Sequence, residues 1–467
     1  MGQDSTERIV QGLRRWIDAA PAGARIPSSR ALVAEYGASP VTVQRAVQQL
    51  ARAGLVESRP GVGTFVRAPR PAAPADFDWQ TAALGAAPAH LAGLSSTQRT
   101  ASTEAIGLHT GYPAAELLPG RLVRQALVRA ARTESALTRT PAAGLPELRA
   151  WFASELAAGT PAGVTPPSAR DALVISGSQS GLSSIFRAVV GAGRPLLIES
   201  PTYWGALLAA RQAGVAFVPV PSGPHGPDPD DVERAFAQTG ARAFYAQPTF
   251  ANPTGGRWLD TTRAAVLDSA RRHGAFLIED DWAHDLGIDA DAHPLAGAVD
   301  DGHVIYVRSL TKSVSPSLRV AAVVARGPAR ERILADRAAE AMYVSGLLQA
   351  AALDVVTQPA WRTHLRGFRE ELRARRDLLV ASLAAHAPTA LVAHVPAGGL
   401  NLWVRLPEGT DVGQVARECE VRGLILAPGG EWFPAEPAGP YVRLNFAHAD
   451  PARFAEASAI LGAVLAR

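Results

Sequence analysis

Seven short apolar segments separated by helical patterns constrain the fold of this chain more than any other feature. They are ALVIS (172–176), PLLIE (195–199), AFVPV (216–220), AFYAQ (243–247), AFLIED (275–280), HVIYVRS (303–309) and RVAAVVA (319–325). Strands that alternate with helices form α/β domains with a mostly parallel sheet. We expect such a domain from about Ile106 onward. Long helices should follow Pro328, and a smaller α+β lobe should extend from Leu391 to Arg467.

The chain contains a single lysine. Lysine and arginine together number 46, and Lys312 is the only lysine among them. Both side chains serve as solvated charges, but only lysine carries a primary amine whose pKa shifts readily on burial. A general bias towards arginine would give the same count. The neighbours of Lys312 must therefore decide whether its amine has a function.

Composition limits the class of protein. The 467 residues are 47% hydrophobic and 19% charged, which is typical of a globular chain with more than one domain. No apolar run approaches the roughly 18 residues of a membrane span, and the N-terminus is polar. Cys419 is the only cysteine and the histidines lack paired ligand spacing, so we expect no disulfide and no metal site. These features predict a soluble, cytoplasmic protein.

Positive charge is concentrated at the N-terminus. Residues 1–70 contain ten arginines and five acidic residues, a net charge of +5, whereas the whole chain carries +3. A basic module in front of a near-neutral body favours a nucleic-acid partner for that module.

The N-terminal module is predicted to contain three helices and a β-hairpin. The apolar face of the first helix is Ile9, Leu13, Trp16 and Ile17. Capping residues bracket the next two helices: Ser28 and Gly37 for the second, and Ser39, Pro40 and Gly54 for the third. The third helix buries Val43, Val47 and Leu50 and leaves polar side chains on its other faces, as a major-groove helix requires. LVES and GTFVR flank the turn RPGV, which completes a winged helix-turn-helix.

The segment PSSRALVAEYGASPVTVQRAVQQLARAGLVESRPGVGTFV resembles the GntR-type winged helix along its whole length. The resemblance implies that Arg30, Ser39 and Thr42 contact double-stranded DNA. It also implies that the wing around Arg59 and Gly61 lies along the minor groove.

Two positions of the third helix depart from the GntR pattern. Pro40 and Gln44 stand where many relatives carry arginine. Glutamine suits adenine better than guanine, so Gln44 predicts a different DNA site. A winged helix used for protein contacts is the alternative, and the charge of +5 argues against it.

The composition predicts three regions. Residues 1–68 form the DNA-binding domain, residues 69–102 a linker, and residues 103–467 the large domain. The linker begins with the Pro/Ala-rich run APRPAAPA (68–75), which is typical of a semi-stiff spacer.

Polar residues follow the predicted strands where a parallel sheet places its ligand sites. They are Ser178 and Gln179 after the first strand, Tyr203 after the second, Asn252 after AFYAQ, Asp280 at the end of AFLIED, and Ser309, Lys312 and Arg319 after HVIYV. The N–H groups of a helix that begins at Ser178 suit a phosphate. Pyridoxal 5'-phosphate (PLP) needs such a set: a lysine for a Schiff base, an acid for the pyridine nitrogen, an aromatic ring and phosphate donors. Because these residues converge on one edge of the sheet, the sequence indicates that the Lys312 amine has a function.

Two rival nucleotide sites are excluded by sequence. The chain has no GxxxxGK[ST] motif, so AFLIEDD is not part of a P-loop site. GVGTFV and GAGRPL lack the third glycine of a dinucleotide fingerprint.

Residues from about 106 to 460 are similar to fold-type I PLP-dependent enzymes of the aminotransferase class I/II group. The matching pieces are AGLPELRAWF, ISGSQSGL, ESPTYWG, QPTFANPTGG, LIEDDW, SLTKSVSPSLR and YVRLNF. A GntR-type winged helix joined to such a domain resembles the MocR-type transcriptional regulators over essentially the whole chain. The resemblance implies an α/β fold, a homodimer and PLP as the cofactor.

The resemblance assigns a role to each site residue. Lys312 would form the Schiff base, Asp280 would pair with the pyridine nitrogen, and Asn252 would contact the ring hydroxyl. Tyr203 would stack on the ring, and Arg443 of YVRLNF would bind the carboxylate of an amino acid. The phosphate would be held by Ser178, Gln179, Ser309 and Arg319.

Two site residues depart from the family pattern. Trp282 stands where relatives usually have a tyrosine whose hydroxyl helps to hold the ring oxygen, and an indole N–H replaces it only in part. Arg139 stands where relatives tend to have a tyrosine that reaches the partner subunit's phosphate, and it could bind that phosphate by charge. Both changes leave cofactor binding in place and weaken the case for efficient transamination.

Three functions follow as hypotheses. The leading one is a DNA-binding transcriptional regulator that holds PLP on Lys312 and responds to PLP or a small amino compound through a change in the spacing of two DNA-reading helices. The alternative is a working aminotransferase with an auxiliary DNA-binding module. The third is a DNA-binding protein whose large domain only dimerises, and the retained lysine argues against it.

Overall fold

The computed structural model describes residues 5–67, 80, 83–84, 95–102 and 104–467. The chain divides into two compact units, residues 1–87 and 88–467. The predicted linker, residues 69–102, lies mostly outside the described residues. Its described end, residues 95–102, belongs to the larger unit, where Ser95, Ser96 and Arg99 donate hydrogen bonds to Glu431 and Glu420.

The small unit has the predicted three helices and hairpin. Its elements are α1 (Ser5–Ala19), α2 (Ser29–Tyr36), α3 (Pro40–Arg52), β1 (Val56–Arg59) and β2 (Gly63–Val66). The Ser28 side chain accepts a hydrogen bond from the Ala31 N–H, and Gly37 ends α2 with φ 60°. Ser39 caps α3 in the same way, by accepting from the Thr42 N–H. The predicted caps of α2 and α3 are therefore confirmed.

The predicted apolar face of α1 is wrong at one position. Trp16 is 37% exposed, and Val10 is buried with Ile9, Leu13 and Ile17. With about 100° per residue, Val10 lies about 20° beyond Ile17 at one edge of the buried face, whereas Trp16 lies about 20° beyond Ile9 at the other edge. On α3, Ala46 is buried between Val43 and Leu50, whereas Val47 is partly buried.

The large unit alternates strands and helices as the apolar segments predict. Its strands are β3 (Ile106–Gly107), β4 (Ala172–Ile175), β5 (Pro195–Ser200), β6 (Ala216–Gly223), β7 (Gly226–Pro227), β8 (Ala243–Ala246), β9 (Phe276–Asp281), β10 (Val304–Ser309), β11 (Ala321–Val324), β12 (Asn401–Arg405), β13 (Leu424–Ile425), β14 (Ala427–Pro428) and β15 (Tyr441–Asn445). Its helices are α4 (Gly120–Ala130), α5 (Pro146–Ala157), α6 (Ser178–Ile185), α7 (Trp204–Gln212), α8 (Pro229–Thr239), α9 (Asp260–Arg272), α10 (Gly327–Ala341), α11 (Gly346–Thr357), α12 (Pro359–His386), α13 (Val412–Val421) and α14 (Phe454–Leu465).

The central sheet of the described residues has the strand order β4-β11-β10-β9-β8-β5-β6-β7. The run from β10 to β6 is parallel. β11 is antiparallel to both of its neighbours, so β4 runs in the same direction as β10. The carboxyl ends of β4, β5, β8, β9 and β10 therefore meet at one edge of the sheet, together with the amino end of β11.

The smaller lobe is built on the sheet β12-β15-β14 and packs against α12 and α14. β3 joins this lobe because it pairs in parallel with β13, Ile106 opposite Leu424. The chain that leaves β3 then crosses to the edge of the central sheet. In the described part of the chain, no helix is long and apolar enough to cross a membrane.

Candidate cofactor site

A cavity of about 520 Å³ lies at the carboxyl edge of the central sheet. Most of the residues that the sequence singles out line it: Ser178, Gln179, Tyr203, Asn252, Asp280, Trp282, Ser309, Lys312, Arg319 and Arg443. All but Arg443 follow or end a strand of the central sheet, and the carboxyl ends of parallel strands meet at one edge; we call this the strand-end rule. Arg443 reaches the cavity from β15 of the smaller lobe.

Lys312 projects into the cavity from the turn that follows β10. Its Nζ donates a hydrogen bond of 2.7 Å to the carbonyl of Gly111 and lies 3.2 Å from the centre of the Tyr112 ring. Burial lowers the pKa of the Lys312 amine well below its usual value, and Arg443 and Arg319 lower it further. A larger fraction of the amine is therefore unprotonated at neutral pH, which is the nucleophilic form.

Asp280 has one committed carboxylate oxygen and one free of partners. Oδ2 accepts from the Tyr245 hydroxyl at 2.8 Å and from Gln247 Nε2 at 2.9 Å. Oδ1 is buried and has no hydrogen-bond partner among the described residues. Burial raises the pKa of Asp280 to about 6, against the hydrogen bonds from Gln247 and Tyr245. A buried, unpartnered carboxylate oxygen is costly unless a donor meets it, so Oδ1 suits a protonated ring nitrogen.

An anion cradle lies at the start of α6. Ser178 is the first residue of that helix, and its buried Oγ has no partner among the described residues. Gly177 precedes it with φ 82°, and a Cβ there would lie 2.6 Å from Arg319 Nη2. The free N–H groups and positive end of α6, together with the Arg319 guanidinium, suit a phosphate. Ser309 lies nearby, and its Oγ is hydrogen-bonded to Thr311 Oγ1 at 2.7 Å.

We expect that the anion cradle needs glycine at position 177. The replacement Gly177→Ala puts a Cβ against Arg319 in a backbone conformation that favours glycine. We expect PLP affinity to fall at least about tenfold, the effect of losing one charge-assisted contact. Equilibrium titration of the full chain with PLP measures it.

Gly191→Ala is the matched control for that variant. Gly191 ends the helical segment after α6 with φ 87° and ψ 155°, close to the φ 82° and ψ 159° of Gly177. It does not line the cavity. Equal PLP affinities for the two alanine variants would show that strain alone, not the cradle, explains the loss.

Arg443 is buried and held in place from three sides. Its guanidinium lies 4.8 Å from the centre of the Trp432 ring, and Nη2 donates to the carbonyls of His109 and Thr110. Nη1 approaches Asn252 Oδ1 at 3.4 Å, and Nε has no partner among the described residues. Burial lowers the pKa of Arg443 to about 9. An arginine presented on the cavity wall is the side chain suited to a ligand carboxylate.

Tyr203 and Trp282 both line the cavity, and each donates a hydrogen bond to another residue of the chain. The Tyr203 hydroxyl donates to Gln179 Oε1 at 3.2 Å, and burial raises its pKa above the usual value. The Trp282 indole N–H donates to the Phe250 carbonyl at 3.0 Å. Because that donor is already committed, the indole does not replace the missing tyrosine hydroxyl, even in part.

Arg139 does not line the cavity of its own chain. It is exposed, and its guanidinium lies 5.9 Å from the centre of the Tyr343 ring. A role towards a partner subunit's phosphate stays a prediction.

Sequence reasoning missed several residues that contact the site residues. Among them are Gly111, Tyr112, Tyr245, Gln247 and Trp432. Gln247 ends AFYAQ, so the strand-end rule could have found it. Gly111 and Tyr112 follow a two-residue strand that has no periodicity, and Trp432 lies in a short 3₁₀ turn without a motif.

The predicted DNA-contacting residues lie on the surface of the small unit. Arg30, Ser39, Gln44, Arg59 and Gly61 are exposed, and Thr42 is partly buried. Ser39 Oγ is hydrogen-bonded to Thr42 Oγ1 at 2.9 Å, so both also stabilise the start of α3. Arg59 forms an ion pair with Glu57 and stacks over Phe65.

Comparison with known proteins agrees with both parts of the chain. Residues 104–460 match the family model of aminotransferase class I and II, and residues 5–66 match bacterial regulatory proteins of the gntR family. The chain is 30% identical to 2-aminoadipate transaminase of Thermus thermophilus over 361 residues, 76% of this chain and 88% of that protein. It is 27% identical over 441 residues, 92% and 87% of the two chains, to a Rhizobium meliloti protein named "Probable rhizopine catabolism regulatory protein MocR".

A solved structure shares the fold. The crystal structure of LysN, the α-aminoadipate aminotransferase of Thermus thermophilus, was determined with N-(5'-phosphopyridoxyl)-L-leucine. It superposes with a TM-score of 0.72 at 28% identity and covers 79% of this chain and 95% of that chain.

Fold, cavity and matches together define a protein with a PLP-binding domain of the aminotransferase type. Its central sheet, its strand-end residues and the family match over residues 104–460 all belong to that class. The chain belongs to the MocR-type transcriptional regulators, in which a GntR winged helix precedes an aminotransferase class I and II domain.

The cofactor of this domain is PLP, and the residues present fit it. The orphaned Asp280 Oδ1 suits the ring nitrogen, and the orphaned Ser178 Oγ lies in the cradle at the start of α6. Arg319 supplies the positive charge beside Gly177.

Proposed function

We propose that this protein is a cytoplasmic transcriptional regulator that binds double-stranded DNA as a homodimer and holds PLP as a Schiff base on Lys312. Its signal is PLP itself or a small amino compound. The observation that carries the proposal is the pairing, in one cavity, of the only lysine with an unpartnered buried carboxylate oxygen. The GntR match over residues 5–66 and the MocR-named relative support the regulatory role.

PLP supplies an aldehyde that condenses with amines and a pyridine ring that withdraws electrons. Lys312 provides the amine, and its lowered pKa favours the unprotonated form that attacks an aldehyde. Asp280 Oδ1 would accept a hydrogen bond from the protonated pyridine nitrogen and would thereby keep that nitrogen charged. Arg443 would bind a carboxylate close to Lys312, since a Cβ at Gly111 would lie 3.9 Å from Lys312 Nζ and 4.0 Å from Arg443 Nη1. A ligand with an amine and a carboxylate would therefore be oriented at two points.

The first test is DNA binding with and without PLP. The purified full chain is titrated onto DNA from upstream of its own gene. A change of affinity or footprint on adding PLP is the expected result. Specific binding that ignores both PLP and a panel of amino acids contradicts the proposal.

The winged helix is expected to separate affinity from sequence preference. Arg30→Ala should weaken binding to all sequences and reduce the salt slope by about one, as the loss of one phosphate contact does. Gln44→Ala should instead relax preference at one base pair by about 1–3 kcal/mol and leave the salt slope unchanged. Fluorescence anisotropy at several salt concentrations measures both.

Arg14→Ala is the control for these variants. Arg14 is exposed on α1 and its loss changes the net charge as Arg30→Ala does. If Arg14→Ala weakens binding as much as Arg30→Ala, charge alone explains the effect and the assigned contact is wrong.

A second candidate is a working aminotransferase. The 30% identity to 2-aminoadipate transaminase and the presence of Lys312, Asp280 and Arg443 in one cavity favour it. Rapid, complete consumption of an amino donor with a keto acceptor would support it. A stoichiometric reaction that stops after one turnover supports the sensor.

A further inference from the structure

Three consecutive backbone carbonyls accept hydrogen bonds from two basic side chains of the cofactor cavity, Lys312 and Arg443. Arg443 Nη2 donates to the carbonyls of His109 at 2.6 Å and Thr110 at 2.9 Å. Lys312 Nζ donates to the carbonyl of Gly111 at 2.7 Å. We call residues 109–112 the strap, because this short segment runs across the cavity from β3.

A carboxylate that binds Arg443 in two-point fashion must displace part of the strap. A guanidinium offers a carboxylate two edges, one formed by Nε and Nη2 and the other by Nη1 and Nη2. Both edges use an Nη2 proton. Nη2 already donates to two strap carbonyls, those of His109 and Thr110. Either mode therefore competes directly with a strap hydrogen bond.

A cofactor that binds covalently to Lys312 also competes with a strap hydrogen bond. Its amine donates to the Gly111 carbonyl and lies against the Tyr112 ring. A free lysine amine carries at least two protons and a Schiff base carries at most one, and condensation with an aldehyde releases the oxygen as water. The strap therefore loses part of its hydrogen bonding to both basic side chains when cofactor and carboxylate bind.

The strap is linked by two routes to residues 95–99, which we call the lead-in. The His109 ring nitrogen Nε2 lies 2.9 Å from the carbonyl of Arg99. Its other ring nitrogen, Nδ1, is buried and has no partner among the described residues, so Nε2 is the donor in the tautomer that satisfies the Arg99 carbonyl.

The second route runs from Arg443, which binds the strap, through Trp432 and Glu431 to Ser95 and Ser96. The Trp432 ring packs against the guanidinium and donates from Nε1 to Asn252 Oδ1 at 3.2 Å. The preceding residue, Glu431, accepts from the Ser95 hydroxyl and from the Ser96 N–H at 2.9 Å. Ser95 also caps the 3₁₀ turn Ser96–Gln98. The lead-in is thus held at Arg99 by His109 and at Ser95 and Ser96 by Glu431.

The lead-in is also part of the cavity wall. Thr97, Gln98 and Arg99 line the same cavity as Lys312. In the chain, the lead-in is the part of the large unit that continues towards the winged helix.

We propose that the strap and lead-in report ligand binding: a carboxylate on Arg443 and cofactor on Lys312 displace the strap carbonyls, and His109 and Trp432 transmit that displacement to residues 95–99. The inference rests on the proposed function, since it assumes that PLP and a carboxylate ligand occupy this cavity. His109 and Trp432 act here as positioning residues.

Amide hydrogen exchange of the full chain tests the inference. Two additives are compared: pyridoxamine 5'-phosphate, and N-(5'-phosphopyridoxyl)-L-leucine, which adds a carboxylate to the same ring and phosphate. Exchange in residues 95–112 should be roughly tenfold faster with the leucine adduct, the effect of losing about one hydrogen bond. Unchanged exchange in this segment, with the adduct bound, overturns the inference and leaves the proposed function standing.

Variants of His109 separate transmission from simple destabilisation. His109→Ala should abolish the adduct-induced change at residues 95–99 and retain it at residues 109–112. His109→Gln should restore it, because a glutamine Nε2 can donate to the Arg99 carbonyl. If His109→Ala and His109→Gln behave alike, the His109 route is wrong.

Glu431→Gln tests the second route. It keeps an acceptor for the Ser96 N–H and removes the charge that fastens Ser95, so residues 95–99 should exchange faster before any adduct is added. Glu408→Gln is the control, because Glu408 is an exposed carboxylate of the smaller lobe that pairs with Arg405 away from the cavity. Failure of the adduct to bind the wild-type chain would overturn the proposed function and this inference together.

Discussion

Lys312→Ala is expected to abolish covalent attachment of PLP and with it every response of DNA binding to PLP. The amine that forms the Schiff base is lost, and no other lysine exists in the chain to replace it. PLP affinity should fall by at least about 100-fold, equivalent to about 3 kcal/mol of binding free energy. DNA binding in the absence of PLP should be unchanged, because residues 5–66 contain the winged helix and Lys312 lies in the other unit.

The single lysine makes this result measurable without peptide mapping. Borohydride reduces a Schiff base to a stable amine, so the reduced wild-type chain should gain the mass of one phosphopyridoxyl group. Lys312→Ala should gain none, apart from any label on the N-terminal amine. Intact-mass spectrometry before and after reduction gives the answer.

Lys312→Arg is the matched variant. Arginine keeps a positive charge near the Gly111 carbonyl and the Tyr112 ring but cannot form the Schiff base. It should therefore resemble Lys312→Ala in labelling and in the PLP response. If either variant still changes its DNA binding on adding PLP, the large domain senses PLP without Lys312 and the proposed role of the Schiff base is wrong.

The sequence predicted the sheet side of the cavity because a parallel sheet gathers strand ends. Ser178, Asn252, Asp280 and Lys312 lie far apart in the chain, yet each sits at the carboxyl end of a strand in one sheet. That rule needs only the position of each strand, and a buried strand is visible as an apolar run.

The other side of the cavity could not be predicted in this way. Gly111 and Tyr112 reach the cavity because Ile106 pairs with Leu424, a contact between segments more than 300 residues apart. A two-residue strand carries no periodic signal, so tertiary packing alone decides its place. The error at Trp16 also comes from tertiary packing: Trp16 and Val10 lie at opposite edges of the apolar face of α1, and the spacing of apolar residues does not tell which edge is buried.

Asp280→Asn is expected to have opposite effects on stability and on cofactor binding. Asp280 is buried, and its pKa is raised to about 6 from an ordinary value of 3.8. An ionised carboxylate is thus disfavoured in the folded chain by about 3 kcal/mol. Asparagine has nearly the same shape and removes that cost. The free energy of unfolding of the cofactor-free chain should rise at pH 8 by up to about 3 kcal/mol.

The pH dependence of that gain follows from the sign of the shift. Above pH 6 Asp280 is ionised in both states, so the wild type bears the full cost and the variant gains most. Between pH 6 and pH 4 the folded wild type takes up a proton while the unfolded chain is still ionised, so the gain shrinks. Near pH 4 and below, both states are neutral and the gain vanishes. Urea unfolding of both proteins across this range measures the difference.

Cofactor binding should change in the other direction, because the group that costs stability is the one that PLP needs. Asparagine cannot offer a charged acceptor to a protonated ring nitrogen, so PLP affinity should fall by about tenfold or more. Asp285→Asn provides the contrast. Burial raises the Asp285 pKa, but Arg308, His284 and Ser313 outweigh it and hold the pKa below its usual value. Asp285→Asn should therefore lose stability at pH 8, where Asp280→Asn gains it. If both variants lose stability, the folded chain stabilises the charged form of Asp280, and Oδ1 does not need a hydrogen-bond donor from the cofactor.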